Sequence, residues 1–194
     1  KMLEEKNKLS IREFLNIAVS IAETVDEIHK KKIVIKNIKT SGFALKSADL
    51  NNAEALTDNL KIVNLEIATR FRSEEVGWKS LNILEGSLSY ISPEQTGRVN
   101  KIVDYRTDFY SLGITFFELL TGYLPFYSDD PAEIVYAHIS QNLPDIHLLR
   151  PDAPDMIKKI IDKLTEKDAE KRYQSAAGLL YDLQKSRTCF EKSG

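Results

Sequence analysis

Residues 105–125, YRTDFYSLGITFFELLTGYLP, constrain this chain more than any other stretch. Phe109, Tyr110, Leu112, Ile114, Phe116, Phe117, Leu119 and Leu120 fall on every side of a helix. A helix that is apolar all round belongs inside a domain rather than on its surface. Thr107 is expected to cap its N-terminus with Asp108 in the first turn, where negative charge is favoured, and Gly122 followed by Pro125 is expected to stop it. At about 13 residues the run is too short for a bilayer, which needs about 20. The stretch therefore predicts a buried post around which the other elements pack.

Elements of ordinary soluble composition surround that post. With 194 residues, 42% hydrophobic and 29% charged, the chain is large enough for one core, and a single domain over 1–194 is expected. A net charge of −2 with acids and bases interspersed offers no basic footprint, which argues against a nucleic-acid partner. No apolar segment is long enough to span a membrane, and none at the N-terminus resembles a signal peptide. The single cysteine, Cys189, has no internal partner for a disulfide. A reducing cytoplasm is the expected location. The abrupt start at Lys1, inside a charged helical pattern, suggests a piece of a longer protein.

Taken in order, the chain opens with a capping-box spacing at Ser10 and Glu13. Ile11, Phe14, Leu15, Ala18, Ile21, Ala22, Val25 and Ile28 then follow at intervals of three and four, a long amphipathic helix. His29, Lys30, Lys31 and Lys32 end it, read as solvated cations at a helix C-terminus, with a phosphate or acidic partner as the sharper alternative. Residues 33–35, 43–45 and 60–63 are short β-type runs that predict a small hairpin sheet, with 47–59 as its extended loop. Residues 70–85 lack firm periodicity and form a candidate regulatory loop. After the central helix, Asp130, Pro131 and Glu133 predict a capped helix to about Ile139, and 143–151 is read as loop. Two further helices are expected. Residues 154–165 place Met156, Ile157, Ile160, Ile161 and Leu164 on one face, and 175–185 place Ala176, Leu179, Leu180 and Leu183 likewise.

The run Gly86-Ser-Leu-Ser-Tyr-Ile-Ser-Pro-Glu94, Asp108 at the head of the apolar helix, and Arg172 in DAEKRYQS together resemble the C-terminal lobe of eukaryotic-type Ser/Thr protein kinases. The resemblance covers essentially the whole chain. It implies a mainly α fold: a kinase-like C-lobe, a helical bundle around a buried central helix, with a small β-hairpin sheet. It also implies an ion pair between Glu94 and Arg172, and an Asp108 that anchors the catalytic-loop backbone. The wording of residues 92–126 is further similar to a bacterial subfamily in which a kinase-like domain begins a long signalling protein. ATPase and sensor histidine kinase parts follow in that subfamily.

The catalytic positions depart from the family. A kinase uses the aspartate of His-Arg-Asp-Leu-x-x-x-Asn to accept the substrate hydroxyl proton and the asparagine to hold magnesium. Residues 35–42 occupy that motif, so the base position is Asn37, a neutral amide, and the metal-binding position is Gly42, with no side chain. A positioned base alone contributes about 10²- to 10⁴-fold in rate. The metal-binding aspartate of Asp-Phe-Gly corresponds to Asn64, a poorer ligand for a hard cation. Glu66 supplies a carboxylate only from a different backbone position, and Ile35 and Leu65 replace the motifs' His and Phe with aliphatic groups. Lys39 stands at the phosphate-side lysine, and Ser87 where a hydroxyl braces the loop. Each also reads plainly as an exposed lysine and a turn serine. The glycine-rich loop and strand lysine of an N-lobe would precede residue 1.

The resemblance with these losses implies a catalytically silent, pseudokinase-type module. It would serve as a regulatory or interaction element, need no cofactor, and have partners among other domains of the same signalling protein or a separate protein. The alternative is an atypical Ser/Thr kinase or ATP switch that uses Mg-ATP through Lys39 and Glu66. A third reading is a docking lobe whose surface near Tyr123 to Tyr136 binds a partner helix, against the plainer expectation that these aromatics pack beneath the following helix.

Overall fold

A computed structural model describes residues 9–45, 60–63, 65–70 and 86–193. Helix α1 spans Ile11–Lys30. Its N-terminus is closed by the Ser10–Glu13 box, with Ser10 Oγ accepting from the Glu13 N–H at 3.2 Å and Glu13 Oε2 accepting from the Ser10 N–H at 2.8 Å. Strands β1 (Ile33–Val34), β2 (Phe43–Leu45), β3 (Leu60–Ile62) and β4 (Thr69–Arg70) follow. They are joined to the helical part by 3₁₀ turns at Leu88–Tyr90 and Pro93–Thr96. The remaining helices are α2 (Arg106–Thr121), α3 (Pro131–Ser140), α4 (Ile146–Leu149), α5 (Asp155–Leu164) and α6 (Ala176–Ser193).

Helix α2 is the post. Phe109, Tyr110, Leu112, Ile114, Phe116, Phe117 and Leu120 are all 0% exposed, so α2 is apolar all round because neighbours cover it all round. Phe14 of α1 meets Phe116 edge to face, centroids 5.9 Å apart at 84°. On another side α5 approaches so closely that a Cβ on Gly113 would lie 2.5 Å from Thr165 Cγ2 and 2.8 Å from Leu164 Cβ. Only hydrogen fits there. The inner face of α6, Ala176, Leu179 and Leu183, is buried against the same core. Gly122 leaves α2 in the left-handed region at φ 82°, and its N–H closes on Glu118 O at 2.7 Å.

Several local expectations change. Thr107 does not cap α2: the N-cap position is Tyr105, and the fully buried Thr107 hydroxyl instead bonds Ser92 Oγ. Asp104 takes over the end, its Oδ1 accepting from the Arg106 N–H at 2.8 Å. The expected loop at 143–151 contains α4, capped by Asp145 through the His147 N–H at 3.1 Å. Arg150 then turns inward and donates to Leu9 O at 2.9 Å and Leu120 O at 2.6 Å. Met156 is 37% exposed, off the stripe that Ile157, Ile160, Ile161 and Leu164 bury. Helix α6 runs beyond the expected end at 185 to Ser193.

The strands form two separate two-stranded antiparallel ladders. β2 pairs with β3, Phe43 opposite Ile62, as the hairpin expectation has it. β1 pairs with β4, Ile33 opposite Arg70, a strand the sequence did not suggest because two residues carry no periodicity. The expected loop at 47–59 and nearly all of the expected regulatory loop, 71–85, lie outside the described residues, as does Asn64. No helix among the described residues is long and apolar enough to cross a membrane.

Candidate functional site

The segment after β1 is held from below by α2. Asp108, with a fully buried side chain, accepts three hydrogen bonds: from the Ile35 N–H at 2.9 Å, the Lys36 N–H at 2.7 Å and His29 Nε2 at 2.8 Å. A carboxylate bonded to donors on all sides has the satisfaction that a buried charge needs. Lys36 sits in the left-handed region at φ 64°, an unfavourable conformation for a side-chain-bearing residue. Two bonds hold it there. One is the Asp108 contact, and the other comes from Gln95 Nε2, which donates to Lys36 O at 2.9 Å. Gln95 is fixed in turn by a second capping box, its Oε1 accepting from the Ser92 N–H at 3.2 Å.

The side chain at the base position faces the next segment. Asn37 Oδ1 accepts from the Ser87 N–H at 3.2 Å, so Ser87 contacts the loop through its backbone rather than its hydroxyl. Gly86 makes this approach possible. It has φ 99°, and a Cβ there would come within 3.2 Å of Lys36 O. The 3₁₀ turn Thr40–Gly42 follows, with the Gly42 N–H bonded to Lys39 O and the Val63 N–H to Gly42 O, both at 2.8 Å. A Cβ on Gly42 would find its nearest atoms, Lys39 Cγ and Val63 O, at 3.6 Å, ordinary contact distance. Glycine is therefore not demanded by space at 42. Lys39 is half-buried and Glu66 exposed. Thr40 and Tyr90 both donate to Glu118 Oε2, and burial together with that carboxylate pushes the Tyr90 hydroxyl well above its ordinary pKa.

Glu94 and Arg172 form a buried fork. Arg172 Nη1 lies 2.6 Å from Glu94 Oε1 and Nη2 2.9 Å from Oε2, with side chains 0% and 2% exposed. The guanidinium's other donors reach Glu166 O at 2.7 Å, Arg106 O at 3.0 Å and Lys167 O at 3.3 Å. Its face lies over the Tyr110 ring at 5.1 Å. This brace ties the Pro93–Thr96 turn to α2 and to the segment before α6.

Chemically the loop is well positioned and poorly armed. Among the described residues no three His, Cys, Asp or Glu side chains converge to hold a metal ion. Asn37 offers an amide already engaged with Ser87, and Gly42 offers no ligand. The described donor set does not fit a magnesium nucleotide. His29 and Gln95 were missed as site residues. His29 lies on the buried stripe, four residues after Val25, which places it on the core side of α1 rather than in solvent. Ser92-x-x-Gln95 has capping-box spacing.

The fold and this loop define a kinase-type architecture, and residues 1–182 match the protein kinase domain family. The chain belongs to that family. Among its relatives, a probable serine/threonine-protein kinase of Clostridium acetobutylicum is 32% identical over 94% of this chain, which spans 26% of that protein. The peroxide stress-activated histidine kinase mak3 of Schizosaccharomyces pombe is 32% identical over 89% of the chain, 7% of its own length. The hybrid signal transduction histidine kinase G of Dictyostelium discoideum reaches 48% identity over 49% of the chain, 3% of its length. The chain thus spans about a quarter or less of these relatives.

Proposed function

We propose that this chain is a catalytically silent kinase-type C-terminal lobe that acts as a regulatory or interaction module within a larger cytoplasmic signalling protein. The observation that carries the reading is the contrast inside one loop. Asp108, itself bonded to His29, and Gln95 hold its backbone at Ile35 and Lys36, while its base position carries an amide, Asn37, and its metal position carries Gly42. Selection on catalysis would keep the carboxylate and the ligand, whereas selection on shape keeps only the brace. The histidine kinases among the relatives, one of them named as a hybrid signal transduction kinase, support a signalling context. Its partners are then other domains of the same protein or a separate protein, and it needs no cofactor.

The test is phosphate transfer by the full-length protein with Mg-ATP or Mn-ATP. No transfer above background is expected. Activity abolished by Lys39→Ala would overturn the proposal. The relatives named as serine/threonine kinases favour the alternative of an atypical enzyme working through Lys39 and Glu66. That reading predicts a magnesium-dependent rise in melting temperature with ATP. A triple replacement, Asn37→Asp, Gly42→Asn and Asn64→Asp, adds a further check. A Cβ at 42 meets only ordinary contacts, and gain of transfer from the replaced chain, once its melting curve shows that it folds, would locate the silence in those three positions.

A further inference from the structure

A cleft of about 490 Å³ opens where the end of α1, strand β1, the start of α2 and the start of α6 meet. Asp26, His29, Lys30 and Lys32 line one side, Tyr105 and Ala176 the other, whereas Asn37, Lys39 and Gly42 are not among its walls. That volume falls in the range of small-molecule sites.

Its walls are apolar and its rim is basic. Ile33, Val34 and Ala176 supply aliphatic surface and Tyr105 a ring, whereas Lys30 and Lys32 are both exposed. Asp26, the one carboxylate of the lining, is already held by Lys30 Nζ at 2.7 Å. Two cations against one anion leave an excess of one positive charge. Helix α6 begins on the same rim with no acidic side chain in its first turn, so the positive end of its dipole is not offset from within the helix. Lys32 is the more telling cation. It sits in the left-handed region at φ 57°, which glycine takes at lower cost, and its N–H closes the turn on His29 O at 2.8 Å. A lysine in a turn that favours glycine points to use of its side chain.

His29 joins the cleft to the loop. It lines the cavity, its Nε2 bonds Asp108, which holds the Ile35 and Lys36 amides, and its Nδ1 is buried with no partner among the described residues. Hydrogen bonding therefore fixes the ring at one nitrogen only, and packing against it from the cavity would steady the whole tether.

We propose that this cleft binds a small aromatic carboxylate and transmits its presence to the loop through His29. The carboxylate lies by Lys30 and Lys32 at the start of α6, and the ligand's ring lies on the apolar walls, where Tyr105 offers an aromatic partner. One negative charge matches the excess of one cation. A nucleoside triphosphate carries more charge than this rim offsets. Binding here neither needs nor excludes phosphate transfer, so the silent-lobe reading and this one fail separately.

The probe is indole-3-acetate, with indole-3-acetamide as the uncharged counterpart and acetate as the charge without the ring. Each is titrated into the isotope-labelled full chain and followed by NMR. Saturable shifts at the Lys32, Ile33 and Ala176 amides are expected with indole-3-acetate alone, together with slower hydrogen exchange at the Ile35 and Lys36 amides. Lys30→Gln with Lys32→Gln should weaken affinity roughly twofold to thirtyfold, the loss of two exposed charge contacts. Lys159→Gln with Lys185→Gln removes equal charge from exposed positions outside the cleft and should leave affinity unchanged. If the first pair melts early, the comparison with the acetamide decides. Equal binding of the acetamide or of acetate, an equal loss from the Lys159 and Lys185 pair, no saturation, or unchanged exchange at Ile35 and Lys36 in the saturated chain would overturn the proposal.

Discussion

Arg172→Ala removes a side chain with no exposed surface, and the structure sets the size of the effect. The substitution breaks two bonds to Glu94 and three to the carbonyls of Glu166, Lys167 and Arg106, and it leaves the Glu94 carboxylate, itself 2% exposed, without its countercharge. Removing one partner of a buried pair costs about 3–5 kcal/mol, because the stranded charge cannot recover its hydration. For a chain of this size each kcal/mol moves the melting temperature by about 2–4 °C, so a fall of roughly 6–20 °C is expected. Calorimetry and urea unfolding monitored by circular dichroism measure it. The double variant Glu94→Leu with Arg172→Met separates the stranded charge from the lost contacts. Replacing both members by apolar groups should cost less than Arg172→Ala alone. Glu94 and Arg172 are in direct contact, so their single substitutions should not add, with a coupling of about 0.5–3 kcal/mol. A melting point within about 2 °C of the parent, or strict additivity, would refute the reasoning that the fork is a buried brace.

Other sites offer equally direct checks. Asp108→Ala strands the Ile35 and Lys36 amides and His29 Nε2, so hydrogen exchange at those two amides should accelerate sharply; exchange as slow as in the parent would remove Asp108 as the tether. Gly113→Ala places a methyl 2.5 Å from Thr165 Cγ2, and urea unfolding should show a loss of about 1–3 kcal/mol as α2 and α5 are forced apart. Burial, with Lys167 nearby, lowers His138 from 6.5 to about 4, and although the backbone of Ser89 and Leu88 moderates the shift, Nε2 has no hydrogen-bond partner among the described residues. Between those two values the unfolded chain binds the proton and the folded chain does not, so stability falls as pH drops from about 6.5 towards 4. His138→Gln should flatten that part of the stability profile. Burial likewise lowers Lys167 from 10.5 to about 8, with Arg172 adding to the effect. Its contribution therefore rises with pH from about 8 to 10.5, and Lys167→Met should remove that rise.

The helices were legible because periodicity and caps are local. Ser10 with Glu13, Asp130 before Pro131, and Gly122 each fix an end by bonds within a few residues, and the stripe Phe14, Leu15, Ala18, Ile21, Ala22 and Val25 marks the buried side of α1. Thr107 misled because a threonine near a helix start is a cap only if its hydroxyl is free, and here Ser92 claims it. Met156 misled because one residue at the edge of an apolar stripe can face either way. The strand β4 is invisible in sequence, since a two-residue ladder depends entirely on where β1 comes to lie.

The candidate site divides along the same line. Chemistry absent from a side chain is absent in any conformation, so Asn37 as an amide and Gly42 without a side chain were decided by sequence alone. The apolar post at 105–125 was too, because no arrangement leaves eight large hydrophobic groups around a helix in water. Tertiary structure alone decided who braces the loop: His29 and Gln95 beside Asp108, the backbone of Ser87 rather than its hydroxyl, and Tyr127 and Tyr136 turned outward instead of packed under α3. Those are contacts between residues as far as 79 positions apart. Residue type allows many partners for a donor or a ring, and only the packing of α1, α2 and α3 selects which one is within reach.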